Sequence, residues 1–402
     1  MKRLIEYFHL NKLGGLELFF AFFPILSQYN FGLVYFAIIA LLIMDYVAIS
    51  RGYKPLRFKP IAYFLAFFVI HEIPVVLGFG GNIFGAAQNL LSLASVLFIV
   101  PALRWEKLVG SVYLVGIISM VGLLYHFLLL VSGNMGDIHP LTLPFLPEFS
   151  EESRAMEIIQ RPTSFYWEPS SYITFMLVPM FFSMLERKYV LTFVIVFFNL
   201  LSGSTNGIAL SFAMLGFYIL TQDTKLLSKT LVVVAGIGMA YFLMTSELFD
   251  VGVEKMENTE ASSNQRLHNG PALIQAMPIE HLITGFPAGD VTDYYNRNAN
   301  IKQSSIMPLG TGNVFVSDFW RIFAKFGIVG LVLYLNIYLW FIRKVKYLRP
   351  YVLTLCVAMI SQSVFLGSTS AFQLTVILTY VLSWHPNLLT KKKHYTGVGN
   401  LR

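Results

Sequence analysis

Charged residues are scarce in this sequence. They make up only 13% of its 402 residues, while hydrophobic residues make up 56% and aromatic residues 15%. A soluble domain typically carries about a quarter charged residues. The scarcity therefore argues against a soluble protein, and the mean hydropathy of +0.64 favours an integral membrane protein.

Cysteine is nearly absent, and the common nucleotide and metal motifs are missing. The single cysteine, Cys356, lies within an apolar run, which excludes an intrachain disulfide and a paired-cysteine zinc site. There is no Gly-x-x-x-x-Gly-Lys-Ser/Thr phosphate loop, no His-Glu-x-x-His metal site and no Asp-x-Asp pair for a metal-bound nucleotide sugar. We therefore predict no metal and no other cofactor. The net charge of +7 is spread over short basic clusters beside apolar runs, so no nucleic-acid partner is predicted either.

Apolar runs long enough to cross a bilayer recur along the whole chain. A transmembrane helix needs roughly 20 apolar residues to cross a hydrocarbon core about 30 Å thick. We predict an all-α bundle of about twelve transmembrane helices, with residues 1–402 forming a single integral membrane domain. The predicted spans are 15–30, 31–50, 60–79, 83–102, 108–131, 169–186, 189–203, 206–221, 229–246, 318–342, 350–368 and 371–389.

Two of the connecting segments, 132–168 and 247–317, are long loops, and loops of this length in compact proteins are usually functional or disordered. Their aromatic and apolar content favours order. We predict a short helix after Ser150 in the first loop. In the second loop we predict a helix capped by Ser262-x-x-Gln265, which Gly270-Pro271 should break or restart.

The basic residues are distributed unevenly between the two sides of the predicted bundle. When the segments between spans are numbered alternately inside and outside, 21 of the 29 Lys and Arg residues lie inside. Loops rich in Lys and Arg resist translocation, so this pattern predicts that both termini are cytoplasmic and both long loops are outside. The eight exceptions are Arg154, Arg161, Lys255, Arg266, Arg297, Lys302, Arg321 and Lys325.

Orientation gives no reason for the outside arginines, which makes them candidates for function. Arginine stays charged and binds phosphate oxygens through two parallel N–H donors, so a cluster of arginines at a membrane face suits a pyrophosphate group. The structural alternative is that each arginine pairs with an acidic residue of the loops.

The stretch from Arg161 to Tyr172 contains the best candidate for acid–base chemistry. Glu168 follows Tyr166 and Trp167 at the predicted start of a helix. A carboxylate there can accept a proton from a sugar hydroxyl while the aromatic side chains stack on a sugar ring. Alternatively, Glu168 only stabilises the helix N-terminus.

Three ionisable residues lie well inside predicted spans and away from their ends. His71 and Glu72 are adjacent in the third span, and His126 lies deep in the fifth. Intramembrane ionisable residues are functional candidates by default. Polar side chains packed inside the bundle are the interpretation that we favour for all of them.

Four segments of the sequence resemble those of a known family. Phe165-Tyr-Trp-Glu-Pro-Ser170 resembles an aromatic-x-Glu-Pro segment after a first long periplasmic loop, and Leu201-Ser-Gly-Ser-Thr-Asn-Gly207 resembles a Leu-Ser-x-Ser-Arg-x-Gly hairpin. Arg266 with Pro278–Gly285 resembles part of a second loop, and Phe319–Leu331 resembles the start of the helix that follows it. The chain thus resembles the Wzy-type O-antigen polymerases and, more distantly, the lipopolysaccharide O-antigen ligases.

The resemblance implies a GT-C-type glycosyltransferase of the bacterial inner membrane that needs neither a metal nor a nucleotide sugar. It implies transfer of a growing chain from undecaprenyl pyrophosphate to the non-reducing end of a new undecaprenyl-pyrophosphate-linked repeat unit of O-antigen or a related surface polysaccharide. The partners are then lipid-linked oligosaccharides, membrane lipids and a chain-length regulator protein.

The candidate site residues combine the resemblance with the charge pattern. The catalytic candidates are Glu168, Arg161, Arg266 and Asp318. The substrate-binding candidates are Arg154, Tyr166, Trp167, His268, Tyr294, Tyr295, Arg297, Lys302 and Arg321.

The sequence departs from the family patterns at two positions. Thr205 stands where many members carry Arg in the hairpin. The ligases carry His-[Asn/Ser/Gln]-x9-Gly-x-x-[Gly/Thr/Tyr], whereas this chain has Val316-Ser317, nine residues, and Gly327-x-x-Gly330. The missing His favours the polymerase branch. A ligase that transfers to the lipid A core, and a polysaccharide flippase or transporter with charges along its helices, remain the alternatives.

The predicted topology can be tested by labelling. Cysteines placed at positions 140 and 290 should react with an impermeant thiol reagent in intact spheroplasts, because both loops are expected to be periplasmic. Labelling of either site only after lysis would overturn the topology.

Overall fold

The computed structural model describes residues 2–31, 34–79, 83–134, 138–143, 146, 162–223, 229–230, 233–234, 238, 262–286, 291–308, 314–361 and 367–389. Within these residues the fold is helical, apart from one short antiparallel ribbon in which β1 (Asn30–Phe31) pairs with β2 (Val34–Tyr35). The α-helices, numbered in chain order, are α1 Lys2–Tyr7, α2 Gly15–Leu26, α3 Phe36–Ser50, α4 Lys59–Phe79, α5 Ile83–Ile99, α6 Trp105–Val131, α7 Pro169–Leu185, α8 Tyr189–Leu201, α9 Thr205–Thr221, α10 Ser262–Ala276, α11 Ile279–Thr284, α12 Val291–Arg297, α13 Ala299–Lys302, α14 Asp318–Lys344, α15 Arg349–Ser361 and α16 Ser368–Trp384.

A helix occupies each predicted span except 229–246, which lies largely outside the described residues. Four helical segments among the described residues are long and apolar enough to cross a membrane, with hydropathies of 1.9 to 2.4: Lys59–Gly78, Ile83–Ala102, Trp105–Val131 and Asp318–Lys344. The chain is therefore a helical protein with membrane-spanning character. The number of crossings and their direction stay predictions.

The turn between α8 and α9 has the tight geometry that its sequence predicts. Gly203 has a φ of 62°, and the Ser202 hydroxyl donates a hydrogen bond to the Asn199 carbonyl at 2.7 Å. Ser204 caps α9, its hydroxyl accepting a hydrogen bond from the Gly207 N–H at 3.3 Å. Small polar residues close this turn because their side chains replace missing helical hydrogen bonds.

Helices α7 and α16 lie at the centre of the bundle, and most of their side chains are buried. Aromatic rings join them to their neighbours. Phe372 of α16 stacks on Phe20 of α2 with ring centres 5.0 Å apart, and it lies 5.9 Å from Phe175 of α7. Packing of this kind, rather than exclusion from lipid, favours helix association within a bilayer. It also fixes the helices that surround the cavity described below.

Helix α10 corrects one prediction about the second loop. Its described part starts at Ser262 and runs through Gly270-Pro271 to Ala276 instead of breaking there. The reason is packing. A Cβ atom on Gly270 would lie only 2.1 Å from the Trp320 indole, so the absence of a side chain lets α10 pack closely on α14. That contact offsets the backbone hydrogen bond lost at Pro271.

The described part of the second loop has a hydrophobic core of its own. Leu273, Phe286, Tyr294 and Ile301 are among its buried members, and Ala324 of α14 closes it on the side of the bundle. The aromatic content of the loop therefore does produce order in this region. The short helix predicted after Ser150 lies outside the described residues.

Helix α14 is interrupted at Gly327, which has a φ of 65° and a ψ of −173°. Essentially only glycine adopts this conformation. A Cβ atom on Gly327 would lie 2.1 Å from the Ile283 carbonyl oxygen, and one on Gly285 would lie 2.0 Å from the Lys325 carbonyl oxygen. The Phe286 N–H donates to the Ala324 carbonyl at 2.9 Å. The end of α11 is thus inserted against the break in α14.

We expect Gly327→Ala to destabilise the protein by about 1–3 kcal/mol, because alanine is strained at this φ and its methyl group would clash with the backbone of Ile283. The loss should appear as a lower melting temperature of the detergent-solubilised protein. Gly216→Ala is the matched control. Gly216 lies in α9 with open space around its Cα, so that variant should melt at the wild-type temperature or slightly above it. Equal melting temperatures of the wild type and Gly327→Ala would contradict the claim that only glycine fits at this junction.

Candidate functional site

The segment before α7 is held in place by His126 of α6. The His126 Nδ1 atom accepts hydrogen bonds from the backbone N–H groups of Thr163 and Ser164, each at 3.2 Å. The ring is therefore uncharged, with its proton on Nε2. Ser164 has a φ of 60°, so the chain turns sharply here. This packing role is the one favoured for His126, and it fixes the backbone that leads to Trp167 and Glu168.

Glu168 lies at the N-cap position of α7, immediately before Pro169. Its side chain makes no hydrogen bond to the first helical N–H groups, but its Oε2 atom accepts one from the Ser170 hydroxyl at 2.6 Å. The carboxylate is half-buried, with Ser170 almost fully buried beside it. The geometry leaves the second carboxylate oxygen for another donor.

The two aromatic residues before Glu168 have different surroundings. Tyr166 is fully buried, with its hydroxyl 3.4 Å from that of Ser119 and its ring packed on Tyr172 and Phe175. Burial raises the pKa of the Tyr166 phenol above its ordinary value. Tyr166 is thus a core residue, and in this position it cannot stack on a sugar. Trp167 is half-buried, and its backbone N–H donates to Gln28 Oε1 at 2.7 Å.

A cavity of about 310 Å³ opens beside Trp167 and the first turn of α7. Its described lining is almost entirely uncharged. Amide and hydroxyl side chains predominate, four aromatic rings form apolar walls, and Arg321 supplies the one charge among these residues. The lining comprises Pro24, Ser27, Gln28, Tyr35, Gly85, Gln88, Asn89, Trp167, Ser171, Thr174, Phe175, Arg321, Ser368, Thr369, Phe372 and Gln373.

Arg321 is held at the cavity by Asp318, the first residue of α14. The two side chains form an i,i+3 ion pair in which Asp318 is fully buried and Arg321 is 29% exposed. Asp318 is outside the described lining of the cavity, and its ion pair with Arg321 holds the arginine in place. An ion pair along one turn of a helix fixes the guanidinium in one direction.

Two buried polar atoms at the cavity are unsatisfied. The Nε atom of Arg321 and the Oγ atom of Ser171 have no hydrogen-bond partner within the described part of the chain. Buried polar groups in proteins are nearly always hydrogen-bonded, so each of these two atoms calls for a partner that the described residues do not supply, such as water, an ion or a ligand. Arginine nitrogen donates only, and a hydroxyl both donates and accepts.

Two of the four amide side chains of the wall are held by hydrogen bonds. Gln28 Nε2 donates to the Pro24 carbonyl at 3.0 Å, and Gln373 Nε2 donates to the Thr174 carbonyl at 2.9 Å. The Tyr351 hydroxyl donates to Gln373 Oε1. The cavity is therefore a preorganised polar surface between apolar helices.

Sequence reasoning missed these amides. Gln88, Asn89 and Gln373 lie within predicted spans, where polar side chains are costly and usually mark function or helix contacts. That cost was the signal available in the sequence. It was applied to ionisable residues only.

The second-loop candidates lie away from the lining of this cavity. Arg266 is half-buried on α10, with its guanidinium 5.8 Å from the centre of the Phe315 ring. His268 is exposed and its Nε2 atom lies 2.9 Å from the Ser305 carbonyl oxygen. Arg297 and Lys302 are exposed in the last turns of α12 and α13. The structure therefore brings Trp167 and Arg321 to one cavity, while Glu168 and Asp318 lie near them in the chain but outside its described lining. It leaves Arg266, His268, Arg297 and Lys302 on the loop.

The loop tyrosines belong to the hydrophobic core of the loop. Tyr294 is buried, stacks on Phe286 with ring centres 4.5 Å apart and has its hydroxyl 2.7 Å from His281 Nδ1. Burial raises the pKa of the Tyr294 phenol. Tyr295 is partly buried against the same core. Arg154 and Arg161, the candidates of the first loop, lie outside the described residues.

Comparison of the sequence with models of protein families and with curated proteins gave no match.

Proposed function

We propose that the protein is a membrane-embedded glycosyltransferase that polymerises lipid-linked oligosaccharide repeat units at the periplasmic face. It would transfer the growing chain from undecaprenyl pyrophosphate to the non-reducing end of a new lipid-linked repeat. One observation carries the proposal: the cavity joins Trp167, at the end of the first long loop, to Arg321, at the start of the helix after the second. These are the segments in which the sequence resembles the polymerases.

The uncharged lining supports a sugar ligand. Amides and hydroxyls donate and accept hydrogen bonds in the same way as sugar hydroxyls, and Gln28, Gln88, Asn89 and Gln373 supply amides from three sides. Aromatic side chains such as Trp167 offer an apolar face and lose little conformational entropy on binding. The volume of about 310 Å³ is at the lower end for ligand sites. It favours a sugar ring with its phosphate over a whole oligosaccharide.

The position of Arg321 favours a ligand that carries a phosphate next to that sugar. Its Nε–H has no partner among the described residues, and an arginine can bind two phosphate oxygens at once. A cation at this point stabilises the negative charge that develops on the leaving pyrophosphate. Arg161 and Arg266 are further candidates for stabilising the negative charge of the pyrophosphate.

Glu168 is the proposed acceptor of the proton. In the proposed reaction the acceptor hydroxyl oxygen bonds to the anomeric carbon of the donor sugar. The bond from that carbon to the pyrophosphate oxygen breaks, and the pyrophosphate leaves with the electron pair. The hydroxyl proton passes to the Glu168 carboxylate, which lies at the mouth of α7 next to Trp167 and Ser171 of the cavity wall.

Arg321→Lys should reduce polymer formation by roughly 10-fold to 10²-fold, because lysine keeps the positive charge beside Asp318 but loses the paired donors. The assay uses purified protein with a synthetic undecaprenyl-pyrophosphate-linked repeat unit and resolves the product ladder on a gel. Arg343→Lys is the matched control, since Arg343 is exposed at the other end of the same helix. A wild-type ladder from a normally folded Arg321→Lys protein would remove Arg321 from the reaction.

The same assay separates the alternatives. Transfer to a lipid A core acceptor, with no ladder from lipid-linked repeats alone, would indicate a ligase. Movement of the lipid-linked repeat across a vesicle membrane without bond formation would indicate a flippase. Either result would overturn the proposed polymerase activity.

Glu168→Gln tests the general base. If Glu168 accepts the proton, the variant should bind the lipid-linked substrate normally and lose polymer by roughly 10²-fold or more. If it only stabilises the start of α7, the variant should lose on the order of 1 kcal/mol of stability and keep its turnover. Glu280→Gln removes an exposed glutamate from the first turn of α11 and is the control for loss of a charge at a helix start, so it should keep full turnover. Wild-type turnover by Glu168→Gln would exclude Glu168 from the chemistry.

A further inference from the structure

The first part of α14, from Asp318 to the break at Gly327, is a separate helical segment that carries Arg321. On one side α10 packs on it through Gly270 and Trp320. At its end the junction of Gly285 with Gly327 connects it to α11. Helical continuity with the rest of α14 therefore does not set the direction of this segment. Its contacts with other elements do.

One such contact is a buried ion pair with α4. Lys325 Nζ lies 3.2 Å from Glu72 Oε2, and the two side chains are only 12% and 7% exposed. The neighbouring His71 Nε2 lies 2.7 Å from the Thr284 carbonyl oxygen, at the end of α11. Its Nδ1 lies 3.4 Å from Glu72 Oε1. The intramembrane His71–Glu72 pair thus binds both elements that meet at Gly327.

Lys325 follows Arg321 by four residues, so both lie on the same face of the segment. A change in the Lys325–Glu72 pair would rotate or shift the face that presents Arg321. A buried ion pair is seldom the most stabilising way to fill a bundle interior, because two charges lose their hydration there. Its best-attested use is to select one register of packed elements.

We propose that the Glu72–Lys325 ion pair, together with the His71–Thr284 hydrogen bond, is a clamp that fixes the position of Arg321 at the cavity. Glu72 and Lys325 are positioning residues, since neither lines the cavity among the described residues. The clamp acts on the Asp318–Phe326 segment as a whole. For its effect on turnover, the inference rests on the proposed transferase activity.

The activity test is a double-mutant cycle. Lys325→Met should lower polymer formation by roughly 10²-fold, the cost of a misplacement of about 1 Å at a reacting group. In an Arg321→Lys background the same change should cost little more, because the clamp acts through Arg321. The exchanged pair Glu72→Lys with Lys325→Glu should recover part of the loss. Additive losses in the cycle would overturn the proposal.

A second measurement does not depend on the substrate. Hydrogen–deuterium exchange should be faster over 283–286 and 318–326 in Lys325→Met and in Glu72→Gln, and slower again in the exchanged pair. The matched control is Lys188→Met, which breaks the partly buried Lys188–Glu186 ion pair elsewhere in the bundle and should leave both segments unchanged. Unchanged exchange in the clamp variants would overturn the proposal.

The two measurements separate the clamp from the proposed function. If the wild-type protein makes no polymer, the proposed function fails and the clamp is judged by exchange alone. Faster exchange in both segments then supports it. If polymer is made and exchange does not respond, the clamp fails while the proposed function stands.

Discussion

A charge placed among apolar helices must have a partner, and the beginning of α14 carries one acidic and two basic residues into such surroundings. Arg321 is paired with Asp318 within the segment, and Lys325 is paired with Glu72 across to α4. These pairs fix the segment in two directions. The cavity, the docking of the second loop and the presentation of the Arg321 guanidinium all follow from where this segment lies.

The two long loops contribute to the site in different ways. The first ends in a turn held by His126, and that turn delivers Trp167 and Glu168 directly to the mouth of α7. The second folds around its own hydrophobic core and contacts the bundle mainly through α14, by way of Gly270, Gly285 and Gly327. Its described charged residues lie away from the cavity lining, so it acts on the site by holding α14.

The sequence predicts the positions of the helices well because the length of an apolar run and its polar boundaries are local properties. A helix is present wherever a described run was predicted to span, and the tight turn at Gly203 follows from its small polar residues. The interruption at Gly327 could not be predicted, because a glycine in an apolar run does not reveal its φ. It became evident only with the backbone of Ile283 against it.

The candidate site was predictable in part, because residue type and place in the chain can also be read from the sequence. Residue type and place in the chain predict Trp167 and Arg321 as substrate-binding residues, and both line the cavity. Tyr166 has the same chemistry as Trp167, yet it is fully buried against Phe175. Adjacent residues at a turn face opposite ways, and only the fold decides which of them meets the cavity.

The position of Arg321 also bears on the proposed function, in which a single arginine serves a site with few charges. In an apolar setting the effective dielectric constant is low, so one cation exerts a strong field on a nearby phosphate. Asp318 is buried behind Arg321 and lies outside the described cavity lining. The ion pair thus orients the guanidinium, whose Nε–H has no partner among the described residues. A charge inside the bundle needs a fixed partner of opposite charge. At the cavity, Asp318 is that partner for Arg321.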